Sequence, residues 1–451
     1  MIQFSIVDLK RIGGPAEFLF VLLYPFKRFA AAWNLLERPE LSAHDAPKRR
    51  LMVGTFVHTY RWGQQIRGDE RGYIEKVRSY GKLGIEFFTL EKHPSLQDDM
   101  GLKLYKSLRL GNCPVPPQGI GQLMLLSLYG LKAAIRRYPA RPLAIYAYNQ
   151  DIENLWVAYL LRALIGAPLV VIYHQIRPAS FSSFSEGVAS RMQRGFHTIR
   201  AVTRSLLPAL NRFAARHADV QIALSEATRR DVEEYLKIKN CVIVGNGLDT
   251  EKFRPLNLAK TYDAVFLGRL APQKGIDVLL RAWDEIAREN PNSRLILLGG
   301  GRPEDVSSYR KMVRDLRLEE SVVFAGFVED EELVRILNSS KLFVFPSRKE
   351  GFAQAVSQAM GCGLCCILSD IRPLREVYGG AAVFCPVDQP SALAEKIRNL
   401  LADQNERERL SREARRLAES FSWDDSVKRE LAQISKIRAS RSAENLNPPS
   451  H

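Results

Sequence analysis

No stretch of this chain reaches the roughly 18–20 consecutive apolar residues that a helix needs to cross a bilayer. The nearest approach, AEFLFVLLYPF at residues 16–26, is broken by Lys27-Arg28 before FAAAWNLL follows. A spanning helix is therefore not expected, and a secretory leader fits poorly because no small-residue cleavage site precedes polar sequence. Two readings of residues 1–49 stay open. One is an interfacial segment lying in a bilayer surface beside Lys10, Arg11, Lys27 and Arg28; the other is a helix packed on the first domain. Cysteine is scarce too, with six in 451 residues. Cys362, Cys365 and Cys366 cluster in GCGLCC, while Cys113, Cys241 and Cys385 stand alone, so there is neither a disulfide framework nor a second cluster to complete a zinc site. Small buried thiols in a reducing compartment account for them.

Acidic residues are missing from one region. Residues 101–217 carry 15 basic side chains and three acidic ones. Across residues 1–250 the balance is 34 basic to 21 acidic, and across 251–451 it is 31 to 29. The net charge of +15 thus belongs mainly to one part of one half. Such a field favours an anionic surface as partner. No aromatic–basic motif of the kind that binds RNA or DNA accompanies it, so an anionic membrane surface is expected and nucleic acid is not.

What is present is alternation. A chain of 451 residues exceeds one ordinary core and suggests two domains. Short apolar runs at 51–57, 84–90, 143–148, 168–173, 220–225 and 242–244 alternate with helical patterns near 74–83, 153–164 and 226–236. The same alternation resumes with runs at 264–267, 295–298 and 322–324. Strand–helix repetition of this kind predicts doubly wound parallel sheets, an α/β architecture of two Rossmann-like domains. Residues 93–118, of mixed polarity and with several prolines, read as a lid or irregular insertion, and 120–138 as a helix. The domain reading is an extension over 1–49, a first domain over 50–245 and a second over 246–420. A helix over 421–437 then crosses back to the first domain, and a disordered tail occupies 438–451.

The chemistry concentrates in LFVFPSRKEGFAQAVSQAMGCGLCCILSD, residues 342–370. An apolar strand runs to Phe345 and Pro346-Ser347 ends it. Arg348-Lys349-Glu350 form a charged turn, Gly351 gives the turn freedom, and residues 352–360 favour helix before the next strand. A strand–loop–helix unit presents free N–H groups and positive dipole at its loop, which suits a phosphorylated ligand beside Glu350. Earlier, DAVFLGRLAPQKGIDVLLRAW places Gly268, Arg269 and Lys274 between a strand and an amphipathic helix. Two cations at such a junction can converge on a pyrophosphate.

The phrases PS-x-x-EGF with AMGCG, GRL-x3-KG and NGLD-x3-FRP (residues 246–255) resemble those of the retaining GT-B glycosyltransferases of family 4. The resemblance covers roughly residues 50–437 and is strongest over 244–376. It implies two domains facing across a cleft, and transfer of a sugar from a nucleotide-diphosphate donor with retention at the anomeric carbon. It implies catalytic roles for Glu350 and for His174, at the end of a buried strand; Glu376, after Ser369-Asp370, is read at the cleft's edge from its position alone. Gly268, Arg269, Lys274, Gly351, Phe352, Ala353, Gln354 and Gln358 would bind the donor. The protein's own cations supply the positive charge, and no Asp-x-Asp lies between apolar strands, so neither metal nor cofactor is expected.

The chain departs from the family pattern twice. Gln358 stands where a second glutamate is usual, and the loop over 58–73 has no adjacent glycine pair. The expected acceptor is lipid-linked or part of an envelope polysaccharide, reached from the cytoplasmic face of a membrane. A non-catalytic nucleotide-sugar-binding relative, or a nucleotide-sugar epimerase on the same fold, is the alternative; an epimerase would need no acceptor.

Overall fold

Thirteen strands in the computed structural model build two wholly parallel sheets among the described residues, which are 50–55, 68–91, 105–109, 142–148, 152–176 and 208–446. The first sheet comprises β1 (Arg50–Thr55), β2 (Ile85–Glu91), β3 (Tyr105–Arg109), β4 (Ile145–Ala147), β5 (Leu169–Tyr173), β6 (Val220–Ala223) and β7 (Cys241–Ile243). Its spatial order is β3-β2-β1-β4-β5-β6-β7. The second comprises β8 (Tyr262–Leu267), β9 (Leu295–Leu298), β10 (Val322–Gly326), β11 (Ser340–Phe345), β12 (Cys365–Ser369) and β13 (Val383–Cys385), in the order β10-β9-β8-β11-β12-β13. Both sheets reverse direction of growth next to their first strand, between β1 and β4 and between β8 and β11. In doubly wound sheets the crevice that opens at such a reversal, outside the carboxyl ends of the strands, is where ligands bind.

The central strands are apolar throughout because helices cover both of their faces. Every residue of β5, β9 and β12 is buried. Over the second sheet, the helix Ile276–Glu289 turns Ile276, Leu279, Leu280, Trp283 and Ile286 inward, the 3.6-residue spacing of one helical face. The five described cysteines are all free and buried. Desolvation pushes the thiols of Cys362 and Cys365 up to about 12, which keeps them protonated and unreactive.

Several expectations are corrected. Residues 105–109 lie within the stretch read as an irregular insertion, yet they form β3, paired in parallel with β2. Mixed polarity suits an edge strand as well as a loop. The segment Glu226–Leu236 begins as α-helix and finishes as a π-helical turn from Val232, closed by Lys237 at φ 58°. The last helix runs over Trp423–Leu446, so residues 438–446 are helical and not tail. Arg438 and Arg441 hold it, donating respectively to the carbonyl oxygens of Pro142 and Leu143 and to the Asp219 carboxylate on the first domain. The expected helix at 120–138, the basic residues from Arg191 to Arg204 and the segment 1–49 lie outside the described residues. No described helix is long and apolar enough to cross a membrane.

The two domains meet through paired connections. The stretch leaving β7 and the stretch entering the last helix run side by side, with Leu248 N–H donating to the Phe421 carbonyl at 3.0 Å. Gly247 sits where a Cβ would stand 2.3 Å from the Trp423 ring. Beyond this crossing, Glu430 of the last helix enters the first domain's core and is fully enclosed with Lys76. It accepts from Lys76 Nζ, from Tyr80 Oη at 2.6 Å and from Tyr146 Oη at 2.8 Å. Desolvation lowers the Lys76 pKa, against the opposing pull of the Glu430 charge.

Candidate active site

The site begins where β8 ends. Gly299, at φ 117°, brings the β9 exit so close to the β8 exit that a Cβ would stand 2.1 Å from the Gly268 carbonyl oxygen. Arg269 follows, exposed at the strand's carboxyl end. A short 3-10 turn, Pro272–Lys274, then closes on Gly275 at φ 67°. A Cβ on Gly275 would lie 2.1 Å from the Pro346 carbonyl oxygen, so only glycine lets this loop press against the loop leaving β11.

Backbone and side-chain bonds seal that seam. Arg348 N–H donates to the Gln273 carbonyl at 2.8 Å, and Gln273 Nε2 donates to the Lys349 carbonyl at 2.7 Å. Across it Lys274 Nζ donates to Glu350 Oε1, and Ser347 Oγ donates to the same carboxylate oxygen at 2.6 Å. The Lys274 and Glu350 side chains are 16% and 8% exposed, and the ammonium also lies 5.0 Å from the centre of the Phe345 ring. Two residues 76 positions apart thus become one partly buried ion pair at the sheet's switch point. A second anion brought to Lys274 can share or take this cation, because the pair still faces solvent.

The first domain closes over the Glu350 loop. Gly351 approaches the end of β5 so nearly that a Cβ would stand 1.8 Å from the His174 carbonyl oxygen. Its own carbonyl accepts from Ser225 Oγ at 3.0 Å, and Lys349 Nζ reaches the Ile176 carbonyl at 3.4 Å. Ser225 also caps the helix Glu226–Asp231, accepting from Thr228 N–H. The His174 ring lies edge-on to Tyr148, with 4.8 Å between centroids. Its Nε2 is 2.8 Å from the Tyr148 carbonyl oxygen. A carbonyl only accepts, so Nε2 carries the proton. Farther along the cleft, Arg230 of the first domain bonds Glu376 of the second at 2.8 Å.

The remaining expected donor residues divide into two kinds. The helix after the loop starts at Gln354, not at Phe352, and spans Gln354–Gly361. Phe352 packs its ring against Tyr378 and Phe421, and the Ala353 carbonyl accepts from Tyr378 Oη at 2.8 Å. Gln354 faces the domain connection: its Oε1 accepts from Asn246 Nδ2 at 2.9 Å and its Nε2 donates to the Gly247 carbonyl at 3.0 Å. The side chains of Phe352 and Gln354 therefore serve the hinge, and what this segment offers a ligand is backbone N–H. Gln358 is buried in the second turn of the helix, 7% exposed. Among the described residues no three His, Cys, Asp or Glu side chains converge as a metal site would require.

Sequence reasoning missed the parts that hold the loops. Arg348 was visible only as one member of a charged turn. Its guanidinium forks onto Asp277 at 2.9 and 2.7 Å and reaches Asp388 at 2.6 Å. The one signal was an acid in the first turn of the helix after Gly275.

Comparison with known proteins agrees with this arrangement. Residues 248–417 match the family described as glycosyl transferases group 1, and residues 67–252 match glycosyltransferase family 4. The O-antigen chain mannosyltransferase B of Escherichia coli is 30% identical over 163 residues, which are 36% of this chain and 42% of that protein. The chain thus matches less than half the length of that relative. The D-inositol 3-phosphate glycosyltransferase of Kineococcus radiotolerans is 27% identical over 438 residues, covering 87% of this chain and 97% of that one. Among solved structures, a sucrose-phosphate synthase from Thermosynechococcus elongatus superposes with a TM-score of 0.69 at 20% identity, covering 87% of this chain and all of that one. Anabaena HepE, solved with UDP and glucose, gives 0.65 at 18%, covering 86% and 99%. At these identities the solved structures speak for the fold. Two sheets of one strand order, with the two family matches dividing between them as the domains do, leave one conclusion: the chain belongs to the GT-B glycosyltransferases of family 4, group 1.

Proposed function

We propose that the protein transfers a sugar from a nucleoside-diphosphate donor to an acceptor hydroxyl, with retention of anomeric configuration and with no metal. The observation that carries this reading is the Lys274–Glu350 pair at the β8/β11 switch point, lidded by the first domain at Gly351 and His174. A departing nucleoside diphosphate gathers negative charge, and Lys274, Arg269 and the N-terminal dipole of the helix Gln354–Gly361 all lie on the side where it would collect. Once a phosphate engages Lys274, the Glu350 carboxylate is released toward the sugar. There it can accept from hydroxyls and stabilise an oxocarbenium-like carbon. His174, with its proton on Nε2, holds the opposite wall of the cleft.

UDP is bound by several structural neighbours, and the relatives' names specify mannosyl transfer to O-antigen chain in one case and glycosyl transfer to inositol phosphate in another. The concentration of basic residues over 101–217 favours the first kind of acceptor, lipid-linked or polysaccharide, met at an anionic membrane surface on the cytoplasmic side. UDP-, GDP- and ADP-sugars screened for release of the nucleoside diphosphate, followed by NMR of the product's anomeric centre, test the chemistry. An inverted product refutes retention, and conversion of the donor without any acceptor favours the epimerase. Co-sedimentation with anionic and zwitterionic vesicles tests the location. Equal recovery in both supernatants refutes it.

A further inference from the structure

We infer that Arg348 is a positioning residue for the reaction, the joint that fixes Lys274 and Glu350 relative to one another; this rests on the transferase reading above. The two reacting side chains sit on different loops, and neither loop is held by regular secondary structure at that point. Lys274 ends a three-residue turn, and Glu350 lies between the end of β11 and the helix at Gln354. Arg348 belongs to the second loop, and its guanidinium binds the first through three hydrogen bonds to two groups. Its Nη1 and Nη2 fork onto the Asp277 carboxylate at 2.9 and 2.7 Å, and Nη1 also donates to the Pro272 carbonyl. Pro272 opens the turn that carries Lys274, and Asp277 lies in the first turn of the helix that follows it. On its other side Nε donates to Asp388 Oδ1 at 2.6 Å, which ties in a third segment, the one leaving β13.

Asp388 delivers that carboxylate from a left-handed backbone position, φ 56°, one of three non-glycine residues with positive φ among those described. Only a planar fork with several N–H donors can satisfy a carboxylate face-on, a carbonyl and a second carboxylate together, so lysine is no substitute here. Burial works to raise the Asp277 pKa, but the hydrogen bonds and charge of Arg348 outweigh it and hold the carboxyl below its ordinary value. Arg348 is 29% exposed and points away from the Lys274–Glu350 pair, toward the helix and the β13 exit. It therefore acts on the reacting groups through the backbone, not by touching the sugar or the phosphate.

The experiment reads position directly. Acetylation of lysines by an N-hydroxysuccinimide ester, followed by mass spectrometry, gives the labelling rate of Lys274 relative to exposed Lys311. Glu350→Gln, which removes the carboxylate charge from the pair, sets the rate of a released Lys274. Arg348→Ala and Arg348→Lys should each raise Lys274 labelling severalfold toward that rate, as should Asp277→Asn, a milder change that keeps the chain folded. The double variant with Arg348→Ala should add nothing to the single ones. In the same proteins, kcat for release of nucleoside diphosphate from UDP-glucose or GDP-mannose should fall between about 10- and 100-fold. The dissociation constant for UDP or GDP should rise by less than kcat falls, because Lys274 is loosened and not removed and backbone N–H groups stay in place. Unchanged labelling of Lys274 in Arg348→Ala overturns the inference, as does raised labelling with unchanged kcat. A wild-type protein that neither binds these nucleotides nor turns over either sugar donor refutes the transferase reading instead, and the labelling rates still decide whether Arg348 positions Lys274.

Discussion

Gly351 and the carbonyl oxygen of His174 face each other across the two domains with no room for one more carbon atom: a Cβ would lie 1.8 Å from that oxygen. The contact is backbone against backbone, so no side chain can yield to relieve it. Gly351→Ala must therefore separate the domains locally or bend the Glu350 loop. Overpacking of this sort costs about 1–3 kcal/mol of stability. The loss in kcat/KM should be larger in effect, because the loop that moves carries Glu350. Turnover equal to wild type would show that the closed arrangement is not the reactive one.

Lys274→Ala should remove about 2–4 kcal/mol of transition-state stabilisation. Glu350→Gln should lower kcat by a similar order while nucleotide affinity is nearly kept, because the proposed role of the carboxylate is toward the sugar and not the base. Steady-state kinetics with saturating donor check both. Near wild-type kcat in Lys274→Ala would sink the assignment of this cation to the departing diphosphate.

Gln358 lies in the second turn of the helix Gln354–Gly361, whose N-terminus we assign to the donor, and an amide offers one accepting oxygen where a carboxylate offers two. Gln358→Glu should tighten nucleotide binding by about 1 kcal/mol if a ribose is held there. Isothermal titration with UDP and GDP measures it. Weaker binding would assign the contact to the amide N–H.

Lys76 and Glu430 are buried together, with side chains 1% and 0% exposed. Lys76→Met leaves a carboxylate enclosed with only two tyrosine hydroxyls and should cost about 3–5 kcal/mol. Lys76→Met combined with Glu430→Leu removes both charges and should cost clearly less. Urea denaturation compares them. Equal losses in the two proteins would mean that packing, not the unpaired charge, sets the cost.

The Asp277 carboxyl is held below its ordinary 3.8 because Arg348 outweighs the effect of burial. A carboxyl with a depressed folded value stabilises above its unfolded value and loses that contribution as pH falls through the folded one. The difference in Tm between wild type and Asp277→Asn should therefore be constant above about pH 5 and shrink below about pH 4. A difference that grows on acidification would refute the pairing.

Much of the fold was legible because buried parallel strands read as unbroken apolar runs. Residues 295–298 and 342–345 announce β9 and most of β11 in this way. That Lys274 and Glu350 would come together was legible because each lies in the loop after a strand, and strand ends on one side of a parallel sheet are neighbours. Residues 105–109 were not legible as strand, because their polarity fits an edge and a loop equally. Gln354 was assigned to the donor on its place in a motif, while its partners Asn246 and Gly247 lie 108 and 107 residues away. The helical state of residues 438–446 depends on Pro142, Leu143 and Asp219, which a local reading of the tail does not reach. Arg348 shows the same limit, since a charged residue in a turn reads as solvated until its acceptors are known.

The enclosed Glu430 also sets an order of events during synthesis. Lys76 leaves the ribosome 354 residues before the carboxylate that neutralises it. Until then the first domain has an unfilled slot between the helix Gly68–Lys82 and β4, and the cluster on that face also lacks Val427 and Ile434. The second domain's strands all emerge in that interval. The domain made first is thus the one completed last, and a nascent chain halted anywhere before Glu430 presents this slot to chaperones and proteases, whatever the state of the sheet behind it.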